Sequence, residues 1–188
     1  MNAADRIGTR AVRVRFALAA VFALTVCTTE GQATELMPWL GISRTVDGDG
    51  EATPSGGLAL RGDLLPLLRA EVDAGYGSES ILEDQLKLHR WPITGSLYFT
   101  PIPQLYAGAG LGWYHTTYSY SDALPFEDET EQEFGIHVGG GLRVPVGPSL
   151  AVDLGGRYVM MQEQESPLIP EKFDPSFWMT RLGLSFSL

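Results

Sequence analysis

Leu105-Tyr106-Ala107-Gly108-Ala109-Gly110-Leu111-Gly112-Trp113-Tyr114 places an aliphatic residue or tryptophan at every odd position and glycine or tyrosine at every even one. A period of two belongs to a strand, because helical side chains repeat near 3.6. One face of this strand wants hydrocarbon. The other is almost bare, and its glycines leave room for side chains from elsewhere to lie against it.

The same alternation runs outward in both directions. Upstream, Leu68, Ala70, Val72, Ala74 and Tyr76 oppose Arg69, Glu71, Asp73 and Gly75, and Trp91, Ile93, Gly95, Leu97 and Phe99 oppose Arg90, Thr94, Ser96 and Tyr98. Downstream, Phe134, Ile136, Val138, Gly140, Leu142 and Val144 oppose Glu133, Gly135, His137, Gly139, Gly141 and Arg143. Leu150, Val152, Leu154, Gly156, Tyr158 and Met160 then oppose Asp153, Gly155 and Arg157, and Trp178, Leu182, Leu184, Phe186 and Leu188 oppose Met179, Arg181, Gly183, Ser185 and Ser187. Two shorter stretches, Leu36 to Ser43 and Ser55 to Gly62, complete eight strands, with Leu36, Leu40, Ile42, Leu58 and Leu60 on the apolar side. An even count suits a single-chain antiparallel barrel.

Alternation alone permits two barrels. A soluble, lipocalin-like carrier would turn the apolar face inward, whereas a transmembrane barrel turns it out to lipid. Connection lengths favour the second. Asp63 to Pro66, Pro101 to Pro103 and Gly147-Pro148 are tight links, and Arg44 to Pro54, Gly77 to Lys87, Tyr120 to Thr130 and Gln162 to Pro175 are long and polar. Long connections at one end and short turns at the other is the asymmetry of outer-membrane barrels, and it places both termini on the periplasmic side. Tyr76, Trp91, Trp113, Phe134, Tyr158 and Trp178 fall at the long-connection end of six apolar faces, as an aromatic girdle at a membrane interface would.

The first 33 residues differ from the rest. Arg6, Arg10, Arg13 and Arg15 precede the apolar run Phe16 to Cys27, and Gly31-Gln32-Ala33 supplies small residues for cleavage, so residues 1–33 read as a signal peptide and 34–188 as one barrel domain. Leu24-Thr25-Val26-Cys27 departs from a lipoprotein cleavage box at the bulky Val26. Cleavage after Ala33 removes Cys27, and with it any disulfide or thiolate metal site. It also removes four arginines and two acids (Asp5, Glu30), taking the formal charge from −10 to −12, a balance unsuited to nucleic acid.

With these features assembled, the chain resembles the small OmpA/OmpX-like outer-membrane β-barrel proteins along its whole mature length. Tyr106 to Trp113, and His137-Val138-Gly139-Gly140-Gly141-Leu142-Arg143 leading to Arg157-Tyr158, carry the resemblance. Arg181, Gly183, Phe186 and Leu188 are similar to the C-terminal assembly signal of that family, although the family more often ends in an aromatic residue. The resemblance implies an eight-stranded antiparallel up-and-down transmembrane barrel in the bacterial outer membrane. Its implied partners are outer-membrane lipid, lipopolysaccharide and the barrel assembly machinery.

Chemistry is sparse. The inward face collects Arg61, Arg69, Glu71, Asp73, Arg90, Glu133, His137, Arg143, Asp153, Arg157 and Arg181. An eight-stranded barrel is just wide enough to be filled by side chains, and an unpaired charge there would be costly, so these residues are expected to form a paired polar plug. The glycines of the fifth and sixth strands would be covered by long side chains from the opposite wall, and His137 would sit beside Glu133 and Arg143. A water-filled channel is the competing reading.

The four long connections carry fourteen acids, with Glu131 just beyond the third, and these could attract divalent cations or simply form a solvated cap. Within them, Asp47-Gly48-Asp49-Gly50-Glu51 lacks the length and distal glutamate of an EF-hand. His115 with Thr117 on the outward face is the one candidate for a lipid-modifying enzyme, resembling the His-x-Ser of outer-membrane deacylases. Gln132 stands nearby, but no acid orients the imidazole. His89 stands alone at a strand margin, and spacing offers no metal trio and no cofactor site. The expectation is a non-enzymatic surface protein. Fractionation tests the membrane assignment: the protein should resist a high-salt wash of total membranes and migrate faster on gels before boiling than after it, and release by salt without heat-modifiable migration defeats the barrel.

Overall fold

The computed structural model describes residues 34–46, 52–81, 86–120, 129–162, 164–166 and 169–188. Residues 1–33, and therefore the signal segment, lie outside them, as does the Asp47 to Glu51 stretch. The strands are β1 (Thr34–Thr45), β2 (Thr53–Leu65), β3 (Leu68–Ile81), β4 (Leu86–Ile102), β5 (Leu105–Tyr120), β6 (Glu129–Pro145), β7 (Leu150–Met160), β8 (Gln164–Ser166), β9 (Ile169–Phe173) and β10 (Phe177–Ser187). Eight of them close an antiparallel barrel in the order β1-β10-β7-β6-β5-β4-β3-β2. β8 and β9 form a small hairpin within the last long connection.

Closure satisfies the ladder of every barrel strand, the condition for backbone to sit in hydrocarbon. The seam between first and last strands runs from Glu35↔Ser187 to Thr45↔Phe177. At its lower end the amide of Leu188 donates to the Thr34 carbonyl at 2.9 Å, so both ends of the barrel meet at the short-turn end. The turns there are tied to each other as well: Thr100 N–H donates to Leu67 O and Arg143 N–H to Gln104 O.

The side-chain split removes the soluble alternative. Leu40, Leu182, Leu111, Leu97, Val144 and Leu154 lie on the outer wall and are 75, 56, 52, 51, 53 and 48 % exposed, while Arg61, Glu71, Asp153 and Arg181 inside are at most 3 % exposed. Apolar out and charged in is the inverse of a soluble barrel. On β6 the outer apolar run from Phe134 to Val144 covers ten steps; at about 3.4 Å each and a tilt of about 40°, that is about 26 Å of height, the thickness of an outer-membrane apolar band.

The strands extend beyond the sequence-based limits. Pairing of β3 with β4 continues through Glu79↔Leu88 to Ile81↔Leu86, and that of β5 with β6 through Thr117↔Thr130 to Tyr118↔Glu129. Much of Gly77 to Lys87 and part of Tyr120 to Thr130 is therefore strand and not loop. Above the girdle the outward face turns polar, at Ser78 and His89 on one pair and His115 and Gln132 on the other, so the hydropathy signal ends while the hydrogen-bond ladder goes on.

Inner-wall glycines are covered by rings from their own sheet neighbourhood, and not chiefly from across the barrel as expected. Trp39 lies over its cross-strand partner Gly57 and on to Gly75, whose added Cβ would come within 2.7 and 3.1 Å of the indole. Tyr106 covers Gly141 and then Gly155, His137 covers Gly110, and Tyr114 covers Gly112 and Gly135. A cross-strand neighbour is only about 5 Å away, so a ring can bend over a missing side chain at little cost in reach. Gly95 faces outward with nothing within 4 Å. Gly141→Ala should therefore destabilise the barrel by about 1–3 kcal/mol through overpacking against Tyr106, while Gly95→Ala should be neutral; urea unfolding in lipid vesicles checks the pair.

Candidate functional site: the barrel interior

The interior is organised around Glu71, on β3 and 1 % exposed. Its register partner Arg61 on β2 donates to Oε2 from Nε at 3.0 Å and from Nη2 at 2.7 Å. Arg181 Nη2 reaches Oε1 and Oε2 at 2.8 and 2.9 Å, and Arg157 Nη2 reaches Oε1 at 3.2 Å. Tyr98 O–H also donates to Oε1, at 3.4 Å. Two further acids complete the balance. Asp153 accepts from Arg61 Nη1 at 2.8 Å and from Tyr106 O–H at 2.6 Å, and Asp73 accepts from Arg181 Nη1 at 2.6 Å with Arg157 Nη2 at 3.6 Å.

Three guanidiniums thus meet three carboxylates. The remaining donor direction of Arg157 goes to Thr94 Oγ1 at 3.1 Å, and Arg61 stacks over the Tyr106 and Tyr98 rings at 4.7 and 5.8 Å. Such a network tolerates burial because its lone pairs and N–H groups are largely used, and losing one member leaves an uncompensated charge.

The other expected interior residues lie away from this centre. Arg143 is bonded to Glu35, which also accepts from Ser185 Oγ at 2.7 Å, near the short-turn end. Arg69 pairs with Asp63 at the margin of the β2–β3 turn, where Asp63 is partly exposed. Arg90 is buried with its guanidinium 5.1 Å from the Phe177 ring centroid, and Glu133 points inward on β6. His137 is not held by Glu133 or Arg143: its Nε2 pairs with Ser96 Oγ at 2.8 Å, across β5. Glu35, Asp63, Thr94, Tyr98 and Tyr106 complete the network and are not named in the expected plug, although parity places Thr94, Tyr98 and Tyr106 on the inward face. For Glu35 the signal was present, since it shares the inward parity of Met37 and Trp39 one position before the anticipated strand start.

Nor is the inner face polar throughout. Trp39, Tyr114, Val159, Phe177 and Met179, with Met37 and Ala59, form a buried apolar cluster. Most of it lies toward the long-connection end, where Tyr114 and Phe177 pack edge to face at 5.8 Å.

On the outer wall, the six girdle aromatics form three cross-strand pairs: Tyr76–Trp91 with centroids 4.5 Å apart, Trp113–Phe134 at 5.7 Å and Tyr158–Trp178 at 4.5 Å. His89 is not alone, because Tyr76 Oη lies 2.9 Å from its Nδ1 and the rings stack. His115 stands in register between Trp91 and Gln132, and Thr117 Oγ1 lies 3.1 Å from Thr130 Oγ1. Among the described residues no group of three His, Cys, Asp or Glu side chains could hold a metal ion. Of the C-terminal residues singled out above, Arg181 is engaged inside, Gly183 accommodates Met37, and Phe186 and Leu188 face outward.

A family model described as outer membrane protein beta-barrel domain matches residues 16–186. No curated protein matches the sequence. Among solved structures, Neisserial surface protein A is similar at a TM-score of 0.57 and 15 % identity, covering 85 % of this chain and 98 % of its own. Ail, the attachment invasion locus protein of Yersinia pestis, gives 0.53 and 12 %, covering 84 and 97 %. The N-terminal β-barrel domain of Pseudomonas aeruginosa OprF gives 0.52 and 15 %, covering 82 and 97 %. At these identities the likeness is one of fold, and it agrees with the strand count, closure and inverted sidedness described above. The chain belongs to the outer membrane protein beta-barrel domain family, and its place is the bacterial outer membrane.

Proposed function

We propose that this protein is a non-enzymatic surface barrel: an interior filled by paired charges and rings that does not conduct ions, carrying long acidic connections outside the cell and both termini in the periplasm. The observation that carries the first part is the shared carboxylate of Glu71, closed on by three arginines and a tyrosine in a barrel only eight strands wide. The start of the first barrel strand, Thr34, meets Leu188 at the short-turn end, and short turns face the periplasm in this architecture, which supports the orientation. The outward loops would then meet lipopolysaccharide, the envelope or an external partner, with divalent cations gathering at the acidic rim. Phe186 and Leu188, outward at the last strand, are the positions available to the assembly machinery.

A lipid-modifying enzyme centred on His115 has less support. Its register neighbours are Trp91 and Gln132, and Thr117 is engaged with Thr130 across the strand pair. Lipid A should be unchanged by mass spectrometry when the protein is overexpressed, and a new lipid A species lost in His115→Ala would replace the proposed function with an enzymatic one.

The plug is tested directly. Purified protein in planar bilayers should show no steady conductance. Glu71→Gln should lower stability by about 3–5 kcal/mol, because it leaves three buried guanidiniums short of a charge, whereas Asp63→Asn at the partly exposed pair should cost no more than about 1 kcal/mol. Urea unfolding of both variants in vesicles measures the difference, and equal, small losses would mean that the central cluster does not hold the interior.

A further inference from the structure

The outward side of β3–β6 changes character one step above the girdle. Ser78, His89, His115 and Gln132 each stand two residues beyond the girdle aromatic of their own strand, and so form a second tier directly above the rings. Two residues at about 3.4 Å each and a tilt of about 40° raise this tier about 5 Å, into a headgroup layer about 5–8 Å deep. We propose that the tier holds the phosphate monoester of an outer-leaflet lipid, with the two imidazoles as its main donors. This rests on the surface-barrel reading for the choice of leaflet, and deepens it by naming which part of the lipid is held and where.

Charge is sorted by face at this height. The chain has 23 acids against 13 lysines and arginines, yet the described outward positions of β3–β6 above the girdle, which also include Thr117 and Thr130, hold no carboxylate. The acids of these strands fall on the other parity: Glu133 points inward, and Glu131 and Glu79 take the inward register positions opposite Thr116 and Leu88. A cationic headgroup would therefore find no carboxylate here, and an anionic one meets no repulsion from its own side of the sheet. His89 is braced for the task. Its ring stacks on Tyr76, whose Oη lies 2.9 Å from Nδ1. With that hydroxyl donating to the neutral ring, or accepting from the charged one, Nε2 carries a proton and can donate to phosphate. His115 is the register partner of Trp91, and His89 that of Thr117, so the two histidines are diagonal neighbours about 7 Å apart, within reach of one phosphate. The described groups around the pair are Tyr76, Ser78, Trp91, Trp113, Thr117 and Gln132, none of them an acid. A phosphate monoester offers three acceptor oxygens and nearly two charges, and bonds to it from an imidazolium are charge-assisted.

The histidines themselves provide the readout. There are three in the chain, and His137, fully buried inside the barrel, is the internal control. Protein carrying ¹⁵N-labelled imidazoles is placed in phosphatidylcholine nanodiscs at about pH 6.5, where an imidazole is partly charged. Lipid A, a phosphate monoester, is added to the bilayer in steps; a second series adds phosphatidylglycerol to the same total charge, and a third adds inorganic phosphate to the buffer. The expected result is a saturable shift of the His89 and His115 signals with lipid A, an unmoved His137, and responses to the other two probes weaker by about fivefold or more. The double variant His89→Gln, His115→Gln should retain about tenfold less lipid A, read by native mass spectrometry, while keeping its heat-modifiable migration. Should it not fold, His115→Gln alone reads the same loss in smaller measure. Still His89 and His115 signals overturn the proposal, as does a parallel shift of His137. An equal response to phosphatidylglycerol, which marks general surface potential, overturns it too, as does an equal response to inorganic phosphate, which marks a free-anion site, or undiminished lipid A on a folded variant. Both nanodisc leaflets carry the lipid, so failure here counts against the tier and not against the orientation, which labelling of the long connections on intact cells tests separately.

Discussion

The structure depends on the need to neutralise charge inside a tube with almost no room for water. Glu71 takes Arg61 from the strand it pairs with, Arg181 from three strands round the barrel and Arg157 from the opposite wall. These contacts cross the lumen, so they constrain more than one pairing at a time. A slip of one residue between any two strands would turn the charges to lipid. A slip of two would keep the faces and still move partners by about 7 Å, beyond hydrogen-bond reach. The ion cluster therefore specifies the stagger of the whole barrel in a way that the apolar outer face, which is much alike along each strand, does not. Buried ion pairs are weak evidence for stability, but fixing register is their best-attested use.

Glycine makes that cluster possible. Three arginines with their carboxylates fill the middle of the lumen, and the walls around them must be thin. Rings that bend over neighbouring glycines, such as Tyr106 over Gly141 and Gly155, cover the wall without projecting far into the space the guanidiniums occupy. Tyr106 then turns its hydroxyl to Asp153 and its face to Arg61, so one side chain lines the wall, pairs an acid and stacks on a cation. A larger residue at Gly141 would push that ring inward, and the charged network would have to move with it.

Where hydropathy alternates, strand and sidedness are legible from sequence, as from Leu105 to Trp113, because a two-residue period has one structural meaning. The signal fails in two places for different reasons. In β1, Met37 and Trp39 face inward while Leu36 and Leu40 face outward, so both faces are apolar and polarity does not reveal what the inner residues touch. Above the girdle, from Gly77 to Ile81 and from Leu86 to His89, the face that carried Tyr76 and Trp91 turns polar at Ser78 and His89, and the strands pass for loops although the ladder continues. Interior membership followed from parity, but partner choice did not. His137 meets Ser96 two strands away, Arg143 meets Glu35 near the seam, and such pairings follow from stagger, which no local window contains.

The outer girdle shows how lipid and strand pairing act together. Its three pairs lie on β3–β4, β5–β6 and β7–β10, the strand pairs joined through long connections, and each pair is directly opposed in the ladder. Opposed aromatics gain contact beyond their burial, so each pair ties two strands together at the height where an amphipathic ring also prefers to sit. The fourth such pair, β1–β2, has no aromatic couple. There Ile42 opposes Pro54, and Arg44, outward and exposed, opposes Trp178 of β10 across the seam. Anchoring at that corner thus falls to a cation beside an indole, a combination suited to the headgroup region, where the long arginine stem can stay in the apolar layer while its charge reaches water or phosphate. The closing seam carries backbone bonds at both ends, Leu188 N–H to Thr34 O below and Val46 N–H to Ser176 O at 2.8 Å above, and only its upper end adds the register pairing of Arg44 with Trp178.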